Sequence, residues 1–291
     1  MSSNVSGLEV GQPVEGVYAV RKKERRLSRQ GDPYLALTLA DASGAIGAFV
    51  FDQPDFFAAQ FESGDRVRVA GQVIQRQGRP VVRVRHIRPA GDEIGAEAFL
   101  PRSHREPDEL MGFAVHLADE IADPKLTAMV MGVLGDPGLA SGWLTAPCSR
   151  SGHHAYQGGL LEHTVGVASL AQTLCQWHPR VDADLLVAAA LVHDVGHIRG
   201  WRLGATFELT DEGRMLGHLS IGHGIVDGAA RAAGLTEERR FGLLHAIGWH
   251  HGPPAGQSPG GANPEALALW RINSLEVGVK SRLEGPGPID D

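Results

Sequence analysis

Residues 184–197 read Asp-Leu-Leu-Val-Ala-Ala-Ala-Leu-Val-His-Asp-Val-Gly-His. Every side chain in 185–192 is apolar, so a helix here has no face to offer water and must lie inside the fold. Asp182 or Asp184 can cap its start. The run then ends on His193-Asp194. A carboxylate beside an imidazole in an apolar surround is costly unless it is paired or bound to a cation. The pair therefore points to a divalent metal site built from hard and borderline donors.

The histidines follow the same logic. Of 14, 11 lie between positions 153 and 251. His163, His193, His218 and His250 are spaced so that each gap holds about one helix and its loop. Successive helices of a bundle then each turn one ligand inward. The His193-Asp194-Val195-Gly196-His197 stretch imitates a zinc-protease motif, but that motif needs a continuing helix and Gly196 signals an end.

A chain of 291 residues suits two domains. Charge divides it: residues 1–90 hold 13 Lys/Arg against 9 Asp/Glu, whereas the rest holds 14 against 25. A basic first third and an acidic, His-rich remainder suggest two jobs. Nothing resembles a membrane span or a signal peptide. With Cys148 and Cys175 alone, a disulfide framework is not expected and a reducing cytoplasm fits.

The first third alternates in period two. Val14, Gly16, Tyr18 and Val20 lead into Arg21-Lys22-Lys23-Glu24-Arg25-Arg26. Strands are expected over 34–39, 46–51, 66–75 and 81–87, with a short helix over 54–60. Five strands with a helix between the third and fourth is the order of an OB-fold barrel, expected over residues 1–92. "YLALTLADASGAIGAFVFD" and "GDRVRVAGQV" resemble the OB domains of nucleases and synthetases. Such domains follow single strands with a basic groove and stacking rings. The candidates are Arg21, Lys22, Lys23, Arg25, Arg26 and Arg29, with Tyr18, Tyr34, Phe49 or Phe51 for stacking.

Residues 93–106 read as a linker, and from 107 the period becomes helical. Helices are expected from Pro107, from Pro124, over the Leu160-Leu161-Glu162-His163 run, around Met215 to His223, after Thr236, and from Pro264. Residues 135–152 read as a loop, and residues 285–291 as a disordered tail. Residues 107–284 thus form an all-α bundle. His153, His154, Gly158 and Gly159 precede one helix and are read as substrate contacts.

"HHAYQGGLLEHT", "LVHDVGH", "LGHLSIG" and "WHHG" resemble the HD-domain superfamily of metal-dependent phosphohydrolases. With an OB domain ahead of them, they resemble the YhaM-type 3′–5′ exoribonucleases. That resemblance implies metal ligands at His163, His193 and Asp194, and a second ion at His218, His250 and His251. It implies catalysis by Asp194, His193 and His197, with Mn(II) or another divalent ion as cofactor and single-stranded RNA or DNA as partner. A cytoplasmic protein is expected, without membrane attachment and with homo-oligomers open. Two departures stand out. The family closes its site with an Asp on the last helix, where this chain has Asn273 in Ile272-Asn273-Ser274-Leu275-Glu276-Val277. Glu276 lies one turn on, on nearly the same face. His197 stands where many relatives have Lys. A catalytically weak single-strand binder and a small-nucleotide phosphohydrolase are the alternative readings.

Overall fold

The computed structural model describes residues 4–91, 94–150 and 152–284; the tail 285–291 lies outside them. The chain forms two compact units. One holds the residues up to Pro101 together with Leu203–Glu208, and the other holds Arg102–Arg202 and the residues from Leu209.

The first unit is a closed five-stranded barrel of β1 (Pro13–Leu27), β2 (Pro33–Asp41), β3 (Gly44–Val50), β4 (Arg66–Arg76) and β5 (Arg79–Pro89), ordered β1-β2-β3-β5-β4. A short helix, α1 (Pro54–Ala58), separates β3 from β4. β1 is longer than the alternation suggested, because the charged run 21–26 continues it. Its first half pairs with β4 and its second half with β2, across a register shift between Val20 and Lys22. Such a bulge bends one strand enough to serve two sides of a barrel. Val14, Tyr18, Val20, Leu35, Leu37 and Leu39 alternate inward to fill it. Tyr18 is only 1% exposed, so it is core and not a stacking ring. The segment read as linker contains a 3-10 turn, Ala96–Phe99, with Phe99 packed against Val17, Ala19 and Ala205.

The second unit is helical: α2 (Pro107–Asp119), α3 (Pro124–Leu134), α4 (Ala140–Thr145), α5 (Gly159–Trp177), α6 (Ala183–Val192), α7 (His197–Gly200), α8 (Asp211–Ala232), α9 (Glu237–Gly248) and α10 (Pro264–Glu284). Between α7 and α8 run two three-residue strands, β6 (Trp201–Leu203) and β7 (Phe207–Leu209), which the sequence did not signal. Helix α4 falls inside the stretch read as a loop. It is short, but Trp143 is fully buried and its Nε1–H donates to the Val133 carbonyl at 3.3 Å.

Helix α6 is the axis. Asp182 caps it by accepting from the Leu185 N–H, and every residue of 185–192 is buried. It packs against α2, α3, α5, α9 and α10. Truncating Leu186 at such a site costs about 2–5 kcal/mol. The helix stops at Val192, and the chain tightens through 3-10-type contacts (Val195 N–H to Val192, His197 N–H to Asp194). Gly196 permits this turn to press on α8: a Cβ there would lie 2.0 Å from the His218 carbonyl oxygen. α8 is itself kinked at Gly217, whose φ of 70° is left-handed. The kink leaves Met215 83% exposed rather than in a buried stripe, while His218 turns to the α6 end.

Candidate functional site

Asp194 lies at the centre of the second unit, just past the buried helix, and is itself buried. Around its Oδ2 stand His193 Nε2 at 3.5 Å, His163 Nε2 at 3.7 Å and His197 Nε2 at 3.9 Å. Around its Oδ1 stand His250 Nε2 at 3.1 Å and His218 Nε2 at 3.5 Å. His251 joins through His218, the two Nε2 atoms being 3.0 Å apart. One carboxylate therefore serves two imidazole clusters. Side chains from α5, the α6–α7 turn, α8 and the end of α9 converge there.

The far nitrogens fix the near ones. His193 Nδ1–H donates to the Ala190 carbonyl at 2.8 Å, and His250 Nδ1–H donates to the Ile247 carbonyl at 2.6 Å. His163 Nδ1–H donates to Glu276 Oε2 at 2.6 Å. His163 and His193 each leave an Nε2 lone pair aimed inward, the arrangement that outer-shell acceptors impose on metal-binding histidines, whereas His250 turns its Nε2 to Asp194, which outweighs burial and raises its pKa. His163 and His193 consequently point two lone pairs at each other across 3.2 Å. Asn273 Oδ1 is buried without a hydrogen-bond partner, and Asp194 Oδ1 and His250 Nε2 face each other at 3.1 Å in poor hydrogen-bond geometry. Facing acceptors and orphaned buried donor atoms are what a cation would satisfy, so the residues present fit a divalent metal.

Burial drives the His193 and His197 imidazoles down to about 3, against the pull of Asp194. Both are neutral near pH 7. His197 therefore does not replace the fixed positive charge of a lysine. Trp201 Nε1–H donates to its Nδ1 at 3.0 Å, which leaves its proton on Nε2, and it stacks on His218 at 4.1 Å. Burial opposes ionisation of Asp194, but His193 and His250 outweigh it and hold the carboxyl well below its usual range.

Asn273 donates from Nδ2 to the His250 carbonyl at 3.1 Å. Glu276 lies beside the cluster on His163. It accepts from His163 and from His154 Nε2 at 2.7 Å, and these bonds outweigh burial to bring it down to about 2. His154, read as a substrate contact, is thus buried in the outer shell, also bonded to the Tyr156 hydroxyl at 2.9 Å. Gly158 and Gly159 do not line the cleft. The space beside Gly159 belongs to the His154 carbonyl, 2.1 Å from where a Cβ would stand. His153 does line it, in a cleft of about 580 Å³ whose walls include Cys148, Arg150, Trp201 and Asn273. Arg150 and Cys148 were missed in the sequence because neither sits in a motif.

On the barrel, most of the basic run is already engaged. Lys23 Nζ donates to the Ala58 and Phe61 carbonyls and pairs with Glu62. Arg25 pairs with Asp55 at 2.6 Å, while Lys22 and Arg26 both pair with Glu24. Arg21 is half-buried near Asp41. The aromatic reading fares differently. Tyr34, Phe49 and Phe51 form one cluster, with centroids 5.6–6.2 Å apart. The Arg76 guanidinium lies 4.0 Å from the Phe49 centroid, and Arg83 is the register partner of Phe49 on β5. Both arginines lie outside the run that charge density singled out.

Residues 160–280 match the HD domain family, and residues 17–90 match the family described as OB-fold nucleic acid binding domain. The protein is accordingly a two-domain chain in which an OB fold precedes an HD domain. Across nearly its whole length it resembles proteins named 3′-5′ exoribonuclease YhaM. It is 28% identical to the one from Halalkalibacterium halodurans, over 89% of this chain and 81% of that one. The Bacillus velezensis and Bacillus subtilis proteins of that name are 28% and 26% identical, each over 95% of this chain and 88% of theirs.

Proposed function

We propose that this protein is a metal-dependent 3′–5′ exonuclease acting on single-stranded RNA. The observation that carries the reading is Asp194, whose two oxygens serve two imidazole clusters at the floor of an open cleft. The HD domain and the named relatives agree with it. His163, His193 and Asp194 would hold one divalent ion, and Asp194, His218, His250 and His251 a second, with Mn(II) or another divalent ion as the cofactor. Bound there, such ions polarise phosphodiester oxygens and ease deprotonation of water.

The chain's own groups do the rest. Asp194 orients the attacking water. Arg150, which lines the cleft wall, would set its cation against the scissile phosphate. His197, neutral and with its proton on Nε2, donates a hydrogen bond. Water oxygen bonds to phosphorus as the P–O3′ bond of the last linkage breaks, releasing a nucleoside monophosphate. Phe49 and Phe51, backed by Tyr34, which is buried and so is not itself a stacking ring, offer rings to unpaired bases, with charge from Arg76 and Arg83. We place the protein in the cytoplasm, where RNA is available and Cys148 and Cys175 stay free thiols.

The test is a 5′-labelled single-stranded RNA incubated with Mn(II)-loaded protein, with DNA of the same sequence in parallel. A ladder shortening from the 3′ end, abolished by chelator and by His193→Ala, is expected for RNA. No shortening with any divalent ion overturns the reading, and equal rates on DNA overturn its restriction to RNA.

A further inference from the structure

Cys148 lies between α4 and α5, buried in the wall of the cleft. Its Sγ is 3.7 Å from Asp194 Oδ2 and 3.6 Å from His153 Nε2. Donor atoms of Cys148, His163 and Asp194 all lie within 4.8 Å of one another. His193 Nε2 stands beside two of them, at 3.2 Å from His163 and 3.5 Å from Asp194. Donors bound at about 2.0–2.3 Å to one tetrahedral ion stand about 3.3–3.7 Å from each other. Asp194 Oδ2 stands 3.5 Å from His193 Nε2 and 3.7 Å from both His163 Nε2 and Cys148 Sγ, separations of that size.

Charge makes the same case independently. Asn273 offers only a neutral amide oxygen, buried and without a partner. With Asn273 in that position, His163, His193 and Asp194 carry a single negative charge toward a divalent ion. A thiolate at Cys148 supplies the second.

We propose that Cys148 is a ligand of the inner ion beside His163 and Asp194, supplied from the α4–α5 segment rather than from α10. The thiol proton passes to solvent as the sulfur–metal bond forms. A donor set of imidazole, carboxylate and thiolate favours Zn(II), Co(II) or Fe(II) over Mg(II) and Mn(II) at this position. The inference rests on the metal-site reading above and fixes what kind of ion the inner position selects.

The experiment is optical. Full-length protein is stripped with chelator and titrated with Co(II), and the near-ultraviolet thiolate-to-cobalt charge-transfer band is recorded. The band is expected in the unaltered protein and in Cys175→Ser, and its complete loss is expected in Cys148→Ser. Stoichiometric Co(II) binding by the unaltered protein without that band overturns the role of Cys148 and leaves the metal centre standing. Absence of Co(II) binding altogether overturns both. The unaltered protein and Cys175→Ser decide the matter even if Cys148→Ser does not fold.

Discussion

His163 Nδ1 lies 2.6 Å from Glu276 Oε2, so a carboxylate one turn beyond Asn273 orients a histidine of the cluster instead of joining it. The helix spacing that made Glu276 a candidate ligand places it behind His163, where it also takes the Nε2 of His154. An outer-shell carboxylate of this kind raises ligand basicity and fixes the tautomer.

Glu276→Gln is therefore expected to weaken divalent-ion binding about 10–100-fold without removing a donor atom. Calorimetric titration of metal-free protein measures this. Unchanged affinity in Glu276→Gln would show that His163 needs no carboxylate behind it.

Asn273→Asp should behave in opposite ways with and without metal. In the metal-free protein a carboxylate oxygen replaces the Nδ2 that donates to the His250 carbonyl, so a buried acceptor loses its partner. Stability is expected to fall by about 1–3 kcal/mol. Added Mn(II) should then raise the thermal midpoint of Asn273→Asp by more than it raises that of the unaltered protein, because the new charge is neutralised. Equal shifts in both proteins would mean that Asn273 does not face a cation.

The buried histidines set a direction with pH. His193 and His197 are held near about 3 by burial, below their usual 6.5. Below pH 6.5 the unfolded chain binds protons that the native state refuses. Stability is thus full above 6.5 and declines as pH falls through that value toward the native ones. Glu276, lowered from 4.5 to about 2, adds a further loss below 4.5. Urea unfolding of metal-free protein is expected to show a lower midpoint at about pH 5 than at about pH 8. A midpoint that rises on acidification would contradict the placement of these groups.

On the barrel, the rings and not the basic run should govern single-strand affinity. Phe49→Ala and Phe51→Ala are each expected to cost about 1–3 kcal/mol if a base stacks there. Arg25→Ala should change little, since Arg25 is committed to Asp55. Fluorescence anisotropy with a labelled oligonucleotide separates the two. A large loss in Arg25→Ala with none in the Phe variants would move the binding face to the β1 run.

Periodicity made the architecture legible. Alternation in β1 to β5 and the unbroken apolar run of α6 each demand one kind of burial, and the barrel and the central helix supply it. The convergence of His163, His193, His218 and His250 on Asp194 was legible from spacing, since one ligand per helix is a long-range rule that local sequence carries. The outer shell was not. His154 and Glu276 are 122 residues apart, and nothing local says that they meet. The β6–β7 strands and helix α4 were missed because three to six residues give too few turns of any period to read. Lys23 looked like a groove residue, yet its ammonium is spent on the Ala58 and Phe61 carbonyls, which charge density alone cannot reveal.

The most direct test is anomalous diffraction from crystals of the full chain grown with Zn(II). The account expects one peak about 2.0–2.2 Å from His163 Nε2, His193 Nε2 and an Asp194 oxygen, and a second bounded by the other Asp194 oxygen, His218 and His250. Ions bound only at surface carboxylates, with both positions empty at saturating metal, would contradict it.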